Sequence, residues 1–524
     1  MKKINDIIIK KYDSYPERIL QFGDGNFLRA FFDLMVEKAN EKNILNSSIV
    51  ISQNTFNGKA KELNNQNGIY TLIIRGKENG ENVEKIEQIT SVSRCLNPYI
   101  EYNKLLNIFR NEELNLIISN TTEAGIVYND SDNIEDNPPS TYPARLTRGL
   151  YERFKTIGNK EEAKLLIMPL ELIDDNGDKL KEIILKYIEL WKLDSEFIDW
   201  INNFVCIANT LVDRIVTGYP KDEINKFEEK LGYEDKFMTV AEPFYLFVIE
   251  AKTEFKKFFP IENDNIIWTN DVKPYKKMKV RILNGIHTSV SLPAYLCGFD
   301  IVLDFMKDNV FREYVKRLLQ DEILLTLEYN KDAVNFANNV IERFENPYLK
   351  HYLLDISLNS CSKFAARCLP TILDYIKIKN ECPKLLSFSL ASFIRFYKGE
   401  FVDGDFIGER ESKEKYKIKD TKENIKFFSL LNFGWNSGNI ESLTHKILSK
   451  KELWKDESCP RLWLINRWTT MEHPVADLWI SDKIHAVFFQ CDMPEKKKLS
   501  RVIHKKGRIH PRVFHTGQMR KRAV

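Results

Sequence analysis

Lys279, Asn284 and His287, in the stretch Lys279-Val-Arg-Ile-Leu-Asn284-Gly-Ile-His287, are the residues of this 524-residue chain whose types and spacing come closest to a reaction centre. Laid on an α-helix, Asn284 and His287 are i, i+3 neighbours, and Lys279 stands about 80° from His287 around the axis, with a long side chain to close the gap. Taking hydride from a secondary alcohol requires a base for the hydroxyl proton and a donor for the developing alkoxide. A lysine serves as that base when burial or neighbouring positive charge lowers its pKa, and a helix start supplies part of such a field. The Asn284 amide suits the oxyanion, and His287 suits orienting a substrate hydroxyl. The competing account is a surface lysine, a capping asparagine and a core histidine that share a helix by accident.

Hydride chemistry needs a nucleotide site, and one pattern offers it. Ile19-Leu20-Gln21-Phe22-Gly23-Asp24-Gly25-Asn26-Phe27-Leu28-Arg29-Ala30 sets Gly23 and Gly25 between an apolar strand and a helix, with Asn26 and Phe27 opening the helix. Glycine there permits a tight turn and brings backbone N–H groups and the helix N-terminus up to a pyrophosphate. The usual third glycine is replaced in the region of Leu28 and Ala30, and a bare GxG also occurs as a plain turn. The following strand runs into Gln53-Asn54-Thr55, with neither a carboxylate for an adenosine ribose nor an arginine nearby for a 2′-phosphate. These residues leave the choice between NAD and NADP open.

The elements that would hold these groups fall into two patterns. Up to about residue 270, short apolar runs alternate with amphipathic stretches, as in a parallel sheet covered by helices. The strand candidates are Arg18 to Phe22, Ser48 to Ser52, Tyr70 to Arg75, Leu114 to Ser119, Leu165 to Pro169 and Phe204 to Asn209; helices are expected at Leu28 to Lys42 and, after an Asn176-Gly177 turn, Asp178 to Trp191. From about Lys276 the period becomes 3.6, with helices expected at Val310 to Glu328, Ala333 to Phe344, Pro370 to Lys379 and Leu385 to Tyr397. The expected fold is an α/β Rossmann-like N-terminal domain over residues 1–272, followed by a mainly α-helical domain over 273–454. The charged run Glu409 to Lys422 reads as a solvated loop.

Composition narrows the class. Hydrophobic residues at 43% and charged residues at 29% mark a globular chain, and a formal charge of +3 gives no reason to expect nucleic acid or an anionic membrane as partner. The apolar run Ile7-Ile8-Ile9 is too short for a signal-peptide core or a membrane span, so a cytoplasmic protein is expected. The eight cysteines are scattered, with no CxxC pair and no histidine at ligand spacing, which predicts reduced thiols and no metal site.

Several motifs stand in a common order: the GxGNFxRA start, Ser119-Asn-Thr-Thr-Glu-Ala-Gly125-Ile126, Pro169-Leu-Glu-Leu-Ile-Asp-Asp-Asn-Gly-Asp178, Asn209-Thr-Leu-Val-Asp-Arg-Ile215 and Lys279 to His287. In that order, over about residues 17 to 454, the chain resembles the long-chain mannitol dehydrogenase family, most closely its tagaturonate reductase branch. The resemblance implies an NAD-dependent oxidoreductase acting on CH–OH, reducing the keto-uronate D-tagaturonate to the aldonate D-altronate in hexuronate catabolism. It implies a metal-independent mechanism with Lys279 as general base beside Asn284 and His287. It also implies cofactor contacts at Gly23, Gly25, Asn26, Phe27, Thr121 and Glu123, and substrate contacts at Asp213 and Lys363. A second oxyanion asparagine of the polyol-oxidising members falls at Leu172 here and a substrate-binding arginine near Asp355, which favours a sugar acid over mannitol. An acid needs a cationic partner, and Lys363 with Arg367, spaced i, i+4 on one helical face, offers two. The simpler alternatives are a structural Asp213–Arg214 ion pair, a surface Lys363, and an Arg367 that pairs with a surface acid. Fructuronate reduction, polyol oxidation and nucleotide binding without catalysis are the rival activities; the oligomeric state is left open.

The tail departs from this pattern. Residues 455–524 hold five of the eight histidines, one of the 44 asparagines, and 15 Lys and Arg against 7 Asp and Glu. The expectation is a segment read in a different frame from the ancestral gene; a basic arm for a partner is the alternative. Translating the coding DNA in its other frames tests this, since the absence there of a family-like C-terminal helix would refute the frame change.

Overall fold

The computed structural model describes residues 1–122, 124–327, 331–431 and 440–454. The tail after Trp454 and Glu123 lie outside the described residues, and so do the expectations placed on them. The chain divides into two compact units, Met1–Leu283 with the returning segment Asn330–Lys350, and Asn284–Tyr329 with the chain from His351 onward.

The first unit is built on a six-stranded parallel sheet of Glu17–Phe22 (β1), Ser48–Ser52 (β2), Val92–Leu96 (β3), Leu116–Ser119 (β4), Leu165–Pro169 (β5) and Val205–Ile207 (β6), in the order β3-β2-β1-β4-β5-β6. Strands such as Ser48-Ile-Val-Ile-Ser52 are near-continuous apolar runs because both faces are covered. Alternate residues feed two cores: Ile19, Ile49, Ile51 and Ile118 on one side, Leu20, Phe22, Val50 and Ile117 on the other. Each such buried side chain stabilises the unit by roughly 1.5–3 kcal/mol relative to exposure. With β2 on one side of β1 and β4 on the other, the order reverses at β1, and the crevice beyond its carboxyl end is where open α/β sheets bind ligands.

The helices used below are Asn26–Ala30 (α1), Phe32–Glu41 (α2), Tyr142–Ile157 (α3), Asn176–Leu190 (α4), Lys273–Lys279 (α5), Gly285–Leu296 (α6) and Lys331–Phe344 (α7). Helix α7 belongs to the first unit, and α6 opens the second. Three further sheets complete the first unit. Asn209–Asp213 (β7) pairs antiparallel with Leu246–Glu250 (β8), which lies parallel to Ile266–Thr269 (β9).

Several sequence expectations are corrected here. The Tyr70 strand runs on to Glu78, leaves the parallel sheet and forms an antiparallel hairpin with Glu81–Ile89; β3, which was not anticipated, takes the sheet edge instead. The run expected at Phe204 to Asn209 breaks at Ala208 into β6 and β7, strands of different sheets. Leu28 to Lys42 is interrupted at Phe31, and Asn176-Gly177 is the first turn of α4, with Asp175 in the left-handed region before it.

In the second unit α6 is buried nearly all round, and Ser360–Arg367 (α8), Leu369–Lys379 (α9) and Lys384–Phe396 (α10) accompany it. A helix with no wet face must lie at the centre of its unit. Glu409 to Lys422 is a loop only in part, since Glu409 and Lys415–Lys417 lie in strands. Gly399–Val402 (β10), Asp405–Glu409 (β11) and Lys415–Lys417 (β12) form a three-stranded antiparallel sheet, with Phe406 and Tyr416 turned inward beneath the charged side chains. The Val310 helix is α-helical only over Asn309–Arg317, passing into a π-turn at Leu318–Ile323 and a short 3-10 turn at Leu324–Thr326.

Candidate active site

Gly23 and Gly25 occupy the turn from β1 into α1. Gly23 has φ 121°, and a Cβ there would lie 2.9 Å from the Asn120 carbonyl oxygen, so only glycine fits between β1 and the loop after β4. At Gly25 a Cβ would meet nothing within 4 Å. One glycine is required by packing, and the other leaves the helix start open to a ligand. Asn26 accepts a hydrogen bond from Arg29 Nη2 at 2.5 Å and touches Gly218, while Phe27 stacks on Phe31.

The loop after β4 is held from β5. Buried Glu171 accepts from Ser119 Oγ at 3.1 Å, Thr121 N at 2.9 Å and Thr121 Oγ1 at 2.8 Å, and burial pushes its pKa up. A Cβ on Gly125 would collide with Thr121 Oγ1. Thr121 is thereby fixed by its own partners. Asn176 Nδ2 reaches the Pro169 carbonyl at 2.9 Å and Thr210 Oγ1 at 3.0 Å, and a Cβ on Gly177 would strike the Ala208 carbonyl. The Pro169 to Asp178 motif therefore docks the start of α4 against the turn between β6 and β7.

At the end of the second strand, no carboxylate follows Asn54, as expected. An arginine is nevertheless close: Arg145 of α3, almost fully buried, places Nη2 3.5 Å from the Asn54 carbonyl and leaves Nη1 without a partner among the described residues. The helix that brings it there starts 88 positions after Asn54, so no local spacing signals it.

Lys279 is the last residue of α5 and sits at the end of β7. Its Nζ donates to the Val212 carbonyl at 2.7 Å and lies 3.7 Å from Asp213 Oδ1. Asp213 does not pair with Arg214, which spends Nε and Nη2 on the Glu242 carbonyl at 2.9 and 2.7 Å. Its partner is Arg343 of α7, Nη1 to Asp213 Oδ2 at 2.6 Å, and the same guanidinium donates Nε to Glu242 Oε2 at 3.0 Å. Burial opposes the Asp213 charge, but Arg343 and Lys279 outweigh it and hold the carboxyl below the usual range. Arg343 and Glu242 were absent from the sequence reading. One signal for Arg343 existed, because it falls on the buried face of α7 with Phe336, Val340 and Phe344, where a cation demands a partner.

The Lys279 to His287 stretch is not one regular helix. Val280–Asn284 is a π-turn between α5 and α6, so the even α-helical step used to align the three side chains does not hold. Lys279 also closes α5 and does not open it, so no helix start supplies its field. In the second unit, half-buried Asn284 has no side-chain hydrogen bond among the described residues, leaving its amide available to donate. The His287 ring stands edge-on to His351, centroids 5.0 Å apart at 74°. On α8, Lys363 Nζ donates to the Ile356 carbonyl at 2.9 Å and Arg367 Nη1 to Thr288 Oγ1 at 3.3 Å. Both are half-buried, and neither has a carboxylate within ion-pair distance among the described residues. Burial lowers both pKa values, and Arg367 lowers Lys363 further.

Family comparisons bear on this arrangement. Residues 17–262 match the mannitol dehydrogenase Rossmann domain, and residues 271–433 match the mannitol dehydrogenase C-terminal domain. The chain belongs to the mannitol dehydrogenase family. Within that family it is 39% identical over 457 residues to an altronate oxidoreductase of Halalkalibacterium halodurans, covering 86% of this chain and 89% of the relative. To an altronate oxidoreductase of Escherichia coli it is 40% identical over 452 residues, 84% of this chain and 91% of the relative. Among solved structures, the mannitol 2-dehydrogenase of Pseudomonas fluorescens, a ternary complex with NAD and D-mannitol, superposes with a TM-score of 0.63 at 19% identity, covering 94% of this chain and 96% of that one. A substrate-free D-sorbitol dehydrogenase gives 0.69 at 21% identity, covering 87% and 99%. These two share the fold of the mannitol dehydrogenase family with this chain. Leu172 and Asp355 are both exposed, Leu172 to 61%.

Proposed function

We propose that the protein interconverts D-tagaturonate and D-altronate, with NAD as hydride carrier, in the cytoplasm. The observation that carries this is the identity of about 40% to altronate oxidoreductases over most of both chains. The glycine turn fits a dinucleotide, since Gly25 opens onto free space at the switch point of a parallel sheet. A nicotinamide dinucleotide held at this turn would supply the hydride acceptor, or in reverse the donor, for the carbinol carbon.

The rest falls to the chain's own residues. Lys279, anchored through the Val212 carbonyl, takes the hydroxyl proton of altronate in oxidation and returns it to the keto oxygen in reduction. Asn284 donates its unengaged amide to the oxygen as charge develops there, and His287 orients a substrate hydroxyl. Asp213 fixes a further hydroxyl. Arg367 and Lys363, whose partners are a hydroxyl and a carbonyl, meet the substrate carboxylate. Cofactor contacts come from Gly23, Gly25, Asn26, Phe27, Thr121 and Glu123.

The test follows NADH absorbance with a panel of aldonates and polyols. Turnover of altronate well above that of mannitol supports the proposal. Faster oxidation of mannitol or of another aldonate would replace it with a different specificity, and no turnover of any would leave only nucleotide binding.

A further inference from the structure

A dinucleotide site that selects NAD ordinarily carries an acid at the end of the second strand, on the side of the first strand where the adenosine ribose lies. The end of β2 offers none. Asn54 sets its Nδ2 against Gly23, and its Oδ1 is enclosed without a partner among the described residues. Gln53 is engaged within its own loop: Nε2 donates to the Thr55 carbonyl at 2.8 Å and the Phe56 carbonyl at 3.1 Å, and Oε1 accepts from Ala60 N at 2.9 Å. Arg145 would favour a 2′-phosphate by its charge, but it lies almost fully buried behind the Asn54 carbonyl, with Nη1 shut away from solvent.

A carboxylate reaches the same side from the opposite wall. Asp24, between the two glycines of the β1–α1 turn, turns toward the loop that follows β2, where its Oδ2 accepts from Lys59 N at 3.3 Å. That loop is fixed around the Gln53 amide, which holds Ala60 N and leaves no room for a Cβ on Gly58. Lys59 contributes its backbone alone: Asp24 has no ion pair and no other hydrogen bond among the described residues. The carboxylate is half-buried, beside a Gly25 that opens onto free space. Its charge is therefore unmatched within the protein, and Oδ1 remains able to accept. A carboxylate so placed accepts from the 2′- and 3′-hydroxyls of a ribose, and it repels a phosphate on the 2′ position.

We propose that Asp24, in place of a residue of β2, selects NAD over NADP in this protein by binding the adenosine ribose hydroxyls and repelling a 2′-phosphate. This rests on the reading of the Gly23–Gly25 turn as the dinucleotide site. It assigns the selectivity to a residue of the glycine turn itself, held in place by the backbone of the neighbouring loop.

The experiment measures dissociation constants for NADH and for NADPH by fluorescence titration of the full-length protein, without sugar substrate. The wild type should hold NADH at least about a hundredfold more tightly than NADPH. Asp24→Asn keeps an acceptor for Lys59 N and removes the charge. It should weaken NADH about three- to tenfold, as loss of one hydrogen bond to a charged group does, and tighten NADPH at least about tenfold. A brace for the loop would not give opposite shifts for the two nucleotides. An unchanged NADH-to-NADPH preference in Asp24→Asn, or equal weakening of both, overturns the proposal. Should Asp24→Asn fail to fold, Asp24→Ser removes the same charge with a smaller side chain, and the same opposite shifts are required of it. A wild-type protein that binds neither nucleotide would sink the reading of the turn itself.

Discussion

Two arginines, one buried in the first unit and one half-buried in the second, have opposite surroundings. Arg343 lies between Asp213 and Glu242; burial works against its charge, but the two carboxylates outweigh it and raise its pKa. Arg367 has a threonine hydroxyl at 3.3 Å and no acid among the described residues, and burial lowers its pKa. A cation whose charge is fully met inside the protein has nothing left for a ligand, whereas a half-buried cation with a neutral partner gains most when an anion arrives. The first is a fixture of the protein; the second is the residue proposed above to meet a substrate carboxylate. Lys279 stands between these cases, hydrogen-bonded to a carbonyl and 3.7 Å from a carboxylate already claimed by Arg343.

The largest expected effect tests whether that intermediate position makes Lys279 the base. Lys279→Met should lower turnover about 10²–10⁴-fold with NADH affinity nearly unchanged, as general-base removal does. Retention of more than about a tenth of the wild-type rate would return Lys279 to the role of an ordinary buried cation.

The arginines should then separate in stability. Arg343→Met leaves buried Glu242 without its cation and Asp213 with Lys279 alone, and should destabilise the first unit by about 3–5 kcal/mol in urea unfolding. Arg367→Met removes one long hydrogen bond and should cost about 1 kcal/mol or less. Equal losses would erase the distinction between fixture and site.

They should separate in the other direction on substrate. Arg367→Ala should raise KM for altronate by the equivalent of roughly 2–5 kcal/mol and barely change activity on an uncharged polyol. Equal loss on both substrates would mean that Arg367 supports the fold and that the carboxylate is held elsewhere.

What the sequence disclosed follows the range of the interactions. The apolar runs at Ser48–Ser52 and Leu165–Pro169 were legible to the residue, because a strand buried on both faces declares itself in its own letters. So was the glycine turn, whose Gly23 answers to a local φ. The Tyr70 strand was legible as a strand but not as a member of a different sheet, since pairing is decided by Glu81–Ile89 and Thr239–Ala241. The π-turn at Val280–Asn284 and the strands inside Glu409 to Lys422 were hidden for the same reason: tertiary packing overrode a local pattern. Within the site, Lys279, Asn284 and His287 stood together in sequence, while the partners that define the Lys279 surroundings, Asp213, Glu242 and Arg343, come from three other segments. Only the placement of Arg343 on an apolar helix face gave notice of a buried charge.

The smallest expected effect extends the comparison to an acid. Glu322 is the carboxylate counterpart of Arg367: buried, among the described residues it accepts only from the backbone N–H groups of Leu385 at 2.6 Å and Leu386 at 2.8 Å, at the start of α10. Burial raises its pKa from 4.5 to about 7, and the two N–H bonds offset that only in part. A carboxyl that binds its proton more tightly folded than unfolded contributes stability that is complete below about 4.5 and is lost as pH rises through about 7. Over that window the loss is on the order of 3 kcal/mol. Glu322→Gln keeps one acceptor oxygen for the α10 amides and has no charge to bury, so its thermal midpoint relative to wild type should climb between pH 5 and pH 8. The difference between the two proteins isolates Glu322, because other buried acids such as Asp33, with a pKa raised to about 7, titrate equally in both. A midpoint difference that stays constant across this range would show that two neutral donors are enough to hold a buried carboxylate ionised, and would weaken the same reasoning for Arg367.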